Sequence, residues 1–178
     1  MRQPLRALLI VGVLLAWAIA PGGATADDVA TVGQPPPLFA LPDEDGTVHA
    51  LEASLGKPII LYFTHNMCHY CTQVVGFLKR AQVTYAGTDL TIITLNVWAK
   101  DGAFIRRYRE AYELPFVMLA ANDRALLRAY EVNYVPIIVF IGRDGIIREL
   151  YHHYILPEDF NRSAADIVGS SASASTRP

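Results

Sequence analysis

Short, predominantly apolar stretches recur along the chain. They are Ile59 to Phe63, Leu90 to Val97 (with Ile92, Ile93, Leu95 and Val97 dominant), Phe116 to Leu119, and Ile137 to Ile141. The first, second and fourth are rich in β-branched and aromatic residues, which predicts buried strands. Between them the apolar period changes to that of a helix. Val74, Val75, Leu78, Ala81 and Tyr85 predict a helix from about Cys68 to Ala86, with Gly87 able to stop it. Gly76 lies inside it and weakens it by ~1 kcal/mol relative to alanine. Phe104, Ile105, Tyr108 and Tyr112 mark an amphipathic helix with Arg106, Arg107, Arg109 and Glu110 on its wet side, ended by Pro115. Asn122 or Asp123 can cap a helix bearing Leu126, Leu127 and Tyr130. Gly142-Arg143-Asp144-Gly145 is a hairpin turn, with a return strand from Ile146 to Tyr151, and Pro157-Glu158-Asp159 opens a last helix through about Val168. Apolar strands without alternation require cover on both sheet faces, so the pattern predicts an α/β sandwich.

The N-terminal third reads differently. Pro35-Pro36-Pro37 fixes an extended lead-in, and Leu38 to Leu41, Asp43-Glu44-Asp45-Gly46 and Thr47-Val48-His49 predict a β-hairpin. Leu51 to Leu55 is a helical turn closed by Gly56. Further upstream, Arg2 and Arg6 precede a charge-free apolar run from Ala7 to Ala20, and Ala24-Thr25-Ala26 follows. This is the pattern of a secretory signal peptide over residues 1–26, cleaved after Ala26. An uncleaved anchor is the alternative, but the run is shorter than the ~20 residues a spanning helix needs. Loss of the two arginines takes the formal charge from -2 to -4. The expected organisation is then one domain over 27–168 and a small, polar, disordered tail over 169–178. No basic excess points to nucleic acid, and no run of like charge points to a binding tail.

The export signal changes how the cysteines are read. Cys68 and Cys71 are the only two in the chain, and outside the cytoplasm a disulfide between them can form and persist. A bacterial periplasm is the expected compartment. Both thiols fall where a buried strand ends and a helix begins. Unpaired N–H groups and the helix dipole favour negative charge there, so a thiol loses its proton more easily. A bridge this short constrains the unfolded chain by only about 2 kcal/mol in the loop-entropy model, against about 3 for a fifteen-residue loop. A structural staple would span the fold, so the pair reads as one built to make and break a disulfide. His69, inside the loop, would stabilise the Cys68 thiolate if protonated and make the couple more oxidising. His65 is expected to pack or cap, His152 and His153 to end a strand, and Tyr62 to need a buried partner for its hydroxyl. With His65 and His69 the two thiols also reach four ligands, the number zinc takes, and copper(I) favours thiolates.

A CxxC between strand and helix, with Val135-Pro136 opening a later apolar strand, resembles the thioredoxin superfamily. Gly33-Gln34-Pro35, Phe39-Ala40-Leu41, Asp45 to Leu51, Gly56-Lys57-Pro58, the inserted helix before Pro115 and the Arg143-Asp144-Gly145 hairpin are similar to TlpA/ResA-like extracytoplasmic members, over nearly all of residues 33 to 165. The resemblance implies a thioredoxin-like three-layer α/β/α sandwich with an N-terminal β-hairpin extension and an inserted helix. It implies Cys68 as exposed nucleophile, Cys71 as resolving thiol, Pro136 as a cis-proline facing them, and Val135 offering backbone to a substrate chain. The chain departs from the family pattern at Thr64 and Met67, where tryptophans are usual. It also departs at Tyr62 and Val74, where many members carry a buried acid, and at Gly76, in place of a helix proline.

The expected activity is therefore protein thiol–disulfide exchange without cofactor or metal, more as a reductase than an oxidase. The expected partners are protein thiols or disulfides and a membrane or soluble redox donor, for a monomer. The alternative is a copper-handling or metal-chaperone module of the same fold. A peroxiredoxin shares the fold too, but Thr64 lies four residues before Cys68, and that family's threonine lies three before.

Overall fold

The computed structural model describes residues 29–169. The expected leader, its cleavage after Ala26 and the tail beyond Gly169 lie outside the described residues. In chain order the elements are β1 (Ala40–Pro42), β2 (Val48–Ala50), a 3-10 turn (Leu51–Ser54), β3 (Ile59–Thr64), α1 (His69–Thr84), β4 (Thr91–Asn96), α2 (Gly102–Ala111), β5 (Val117–Ala120), α3 (Arg124–Ala129), β6 (Ile137–Ile141), β7 (Ile147–Tyr151) and α4 (Pro157–Gly169). α4 takes in Gly169, one residue beyond the expected domain end at 168.

β3 to β7 form one mixed sheet in the order β5-β4-β3-β6-β7. β3 runs parallel to β4 and β4 to β5, each pair joined by a helical crossover. β6 joins β3 antiparallel, and the turn at 142–145 returns the chain as β7. Every residue of β3 is buried, yet the two-residue period still sorts them. Ile60 and Tyr62 join a cluster with α1, α2 and α4. Ile59, Leu61 and Phe63 join one with α3, Leu41 and Leu51 on the other face. The result is three layers, helices over a sheet over a thinner layer of α3, hairpin and lead-in.

Several contacts tie the N-terminal extension to this body, among them backbone hydrogen bonds from Ala30 to Ala129 and between residues 33–34 and Ile147. The Tyr130 hydroxyl, buried at the end of α3, donates to the Pro37 carbonyl at 2.7 Å. The turn of the β1–β2 hairpin docks on the start of α2. There a Cβ on Gly102 would come within 2.2 Å of the Glu44 carbonyl oxygen, so only glycine allows the approach. The Arg109 guanidinium forks onto the Glu44 carboxylate and Arg106 pairs with Asp45. The amphipathic pattern assigned both arginines to solvent; they are instead the clamp on the hairpin. Within the turn, Asp43 Oδ1 accepts the N–H groups of Asp45 and Thr47, and Oδ2 pairs with His49 Nε2 at 2.7 Å. These bonds hold the Asp43 carboxyl below its usual range, the His49 bond contributing most.

Candidate active site

β3 ends at Thr64, and four residues later the chain enters α1. Cys68 is the N-cap, with extended backbone (φ -93°, ψ 108°), and the helix proper starts at His69 rather than at Cys68. Its sulfur plays the part usually taken by a serine or aspartate oxygen: Cys68 Sγ accepts the Cys71 N–H at 3.1 Å. Cys68 and Cys71 form a disulfide. The two sulfurs differ in setting. Cys71 is fully buried among the residues packed under α1, whereas Cys68 stays partly exposed. A thiolate formed at Cys68 would therefore meet a donor already in place, at the positive end of a sixteen-residue helix.

The second wall comes from a distant part of the chain. The Val135 carbonyl oxygen lies 3.6 Å from Cys68 Sγ, and the Val135–Pro136 peptide bond is cis. In the disulfide Cys68 has no hydrogen to donate, so this is a contact; reduction to S–H would turn it into a weak hydrogen bond. Antiparallel pairing of β6 with β3 brings these residues together across 67 positions of sequence.

Beneath the disulfide lies a cluster of hydroxyls. Tyr62 donates to the Cys71 carbonyl at 2.9 Å and approaches Thr64 Oγ1 at 3.2 Å. Thr64 Oγ1 in turn is 2.9 Å from the Tyr108 hydroxyl. Burial pushes both phenols above their ordinary range, so all three groups stay protonated and none serves as a base near neutrality. The expected partner for Tyr62 is thus a helix carbonyl of the reactive pair itself. Tyr108 closes the cluster from α2, where its sequence pattern marks only an apolar helix position.

The loop before Cys68 is braced from β4. Asn96, fully buried at the end of that strand, donates through Nδ2 to Asn66 Oδ1 at 2.9 Å and accepts the Trp98 N–H at 3.1 Å. The His65 ring stacks on Trp98, centroids 3.9 Å apart and planes 3° from parallel. Its Nδ1 accepts the Met67 N–H at 3.1 Å, and burial lowers its pKa below the ordinary 6.5. His65 therefore packs and caps. A buried asparagine at a strand end is the one signal that could have marked Asn96; nothing local marks Trp98. His69 stands exposed as the first residue of α1, its ring edge-on to Tyr70 at 5.8 Å. Among the described residues no three His, Cys, Asp or Glu side chains gather as a metal site.

The chain is 23% identical over 160 residues to the thiol-disulfide oxidoreductase ResA of Geobacillus kaustophilus (strain HTA426), covering 90% of this chain and 91% of that protein. It is 26% identical over 145 residues to a chloroplastic peroxiredoxin Q of Populus jackii, with 71% of this chain and 62% of that protein covered. Among solved structures, a thiol:disulfide interchange protein of the thioredoxin family from Chlorobium tepidum TLS superposes with a TM-score of 0.67 at 19% identity, over 79% of this chain and all of that one. The fold is thus thioredoxin-like. With the AhpC/TSA family model matching residues 32–150 on that fold, the chain belongs to the AhpC/TSA family.

Proposed function

We propose that the protein exchanges dithiol for disulfide with protein substrates outside the cytoplasm, Cys68 attacking and Cys71 resolving. The observation that carries this is the asymmetry of the pair. One sulfur is partly exposed, at a helix N-terminus and bonded to a backbone N–H; the other is sealed beneath it. As a reductant, the Cys68 thiolate attacks a substrate disulfide. A bond forms between Cys68 and one substrate sulfur, and the other leaves as thiolate and takes a proton from solvent. Cys71, deprotonated, then attacks the Cys68 sulfur. The protein disulfide re-forms, the second substrate sulfur leaves, and two electrons have passed to substrate. Run backwards, the same steps oxidise a dithiol. No cofactor is required.

Two relatives' names point to different chemistries, exchange and peroxide reduction. The position of Thr64 supports exchange: its hydroxyl is held by Tyr62 and Tyr108 in the core. The extracytoplasmic setting rests on the leader pattern; no helix among the described residues is long and apolar enough to cross a membrane.

The test is trapping. Cys71→Ser should accumulate a mixed disulfide with a protein substrate through Cys68, and Cys68→Ser should accumulate almost none. Equal trapping by both overturns the assignment. Reduced protein titrated with Cu(I) and Zn(II) decides the alternative. Tight stoichiometric binding with no exchange activity would make the protein a metal-handling module.

A further inference from the structure

Large apolar side chains rarely stand exposed together unless something docks on them. Here one precedes Cys68, one stacks on His65 and one precedes Val135. Met67 is 81% exposed, Trp98 52% and Tyr134 74%. Between Trp98 and the segment leading to Val135 runs a groove of about 310 Å³, lined by His65, Trp98, Leu127, Val132, Tyr134 and Val135 among others. That is at the small end of the range for ligand sites, room for a side chain rather than a cofactor. The groove and the reacting bond share the Val135 wall, whose carbonyl lies 3.6 Å from Cys68 Sγ. A substrate whose sulfur engages Cys68 must lay its neighbouring residues along this wall.

The lining contains no lysine, arginine or carboxylate. Its one titratable base, His65, has its pKa lowered by burial, and its Nδ1 accepts the Met67 N–H. Charged side chains begin beyond Leu127, with Arg124, Arg128 and Glu131 around a neighbouring depression. Trp98 does not float over the groove. Its ring is stacked flat against His65, and its backbone N–H donates to Asn96 Oδ1. A pre-set aromatic wall of this kind gains contact area at little entropic cost.

We propose that Trp98, positioned by its stack on His65, determines substrate choice: the groove takes an uncharged, apolar or aromatic side chain from the polypeptide segment flanking the reacting cysteine. This rests on the exchange reading and names the substrate class for it. No cation lines the groove to pair with an acidic neighbour, so the site disfavours one.

The probes are two disulfide peptides that differ only in the residue next to the cysteine, phenylalanine or glutamate. Wild type should favour the phenylalanine peptide in kcat/KM by about tenfold, the scale of one good apolar contact. Trp98→Ala should collapse that ratio, mainly through KM, and Trp98→Phe should restore most of it. A wild-type ratio near one, or a ratio unchanged in Trp98→Ala, overturns the proposal. Binding is read separately, without redox chemistry. Serine-for-cysteine forms of both peptides are titrated into the oxidised protein, following tryptophan fluorescence with Trp98→Phe as the blank. The phenylalanine analogue should change the signal and the glutamate analogue should not. No change with either overturns the groove even if exchange proceeds. A change with phenylalanine alone, in a protein that exchanges neither peptide, sinks the exchange reading and leaves the groove standing.

Discussion

At the residue scale the groups around Cys68 can be taken apart. Cys68 Sγ has a backbone donor and the helix start, and His69 adds charge only when protonated. No acid takes part in the Tyr62–Thr64–Tyr108 cluster below Cys71, so nothing there supplies a base to the second thiol. Both features favour a couple less reducing than thioredoxin, which lies at about -270 mV. His69→Ala should raise the Cys68 pKa and make the couple more reducing, read by thiolate absorbance against pH and by glutathione equilibration. Values equal to wild type would leave the helix start as the activator. His65 makes a separate prediction. Its folded pKa lies below the unfolded 6.5, so as pH falls through that value the unfolded chain binds a proton that the folded chain refuses. Stability therefore drops between 6.5 and the lower folded value, and levels off beneath it. Protonation also removes the acceptor that holds the Met67 N–H. The stability advantage of wild type over His65→Phe should shrink from pH 7.5 to pH 5 in urea unfolding. A gap independent of pH would show that His65 does not titrate in that window.

Among the elements, α1 and α2 each contain a glycine, and the two have opposite consequences. Gly76 sits mid-helix, where an added Cβ would meet only the Arg80 guanidinium at 3.5 Å, an ordinary contact. Gly76→Ala should stabilise the protein by about 0.5–1 kcal/mol through helix propensity and the unfolded-state entropy. Gly102 has the Glu44 carbonyl in the place of a side chain. Gly102→Ala should destabilise by more than Gly76→Ala stabilises, since backbone must move and the hairpin clamp with it. Thermal unfolding of both variants checks the pair. Two shifts of the same sign would contradict the packing described for α2. The helix propensity of α1 is legible from sequence, as is the glycine within it. The close approach at Gly102 is not, because its partner lies 58 residues away on a turn.

For the molecule as a whole, the hairpin extension belongs to the body through a few polar contacts and the Leu41–Leu51 side of the lower core. The Arg109–Glu44 fork is the strongest of the polar ties by geometry, bidentate with Glu44 only 10% exposed. Arg109→Ala should cost about 1 kcal/mol, and the loss should be local. Amide exchange within residues 40–50 should speed up several-fold while β3 and β6, buried at every position, keep their protection. Exchange that rises equally in both regions would mean that hairpin and sheet open as one unit.

What the sequence alone determined is what short-range physics encodes. Apolar runs, a change of period, and Gly and Pro stops located the strands and helices to within a few residues. The strand–CxxC–helix order put both thiols at a helix start. These signals sit within one turn or one strand, so they survive without knowledge of the rest of the chain. What only the tertiary structure decided is which distant groups meet. It set Val135 against Cys68, Tyr108 against Thr64, Trp98 against His65, and Arg109 against Glu44. Each of those pairs depends on sheet order and register, which total burial selects over the whole chain. No pattern around Arg109 or Trp98 could have told a solvated surface residue from a clamp or a groove wall.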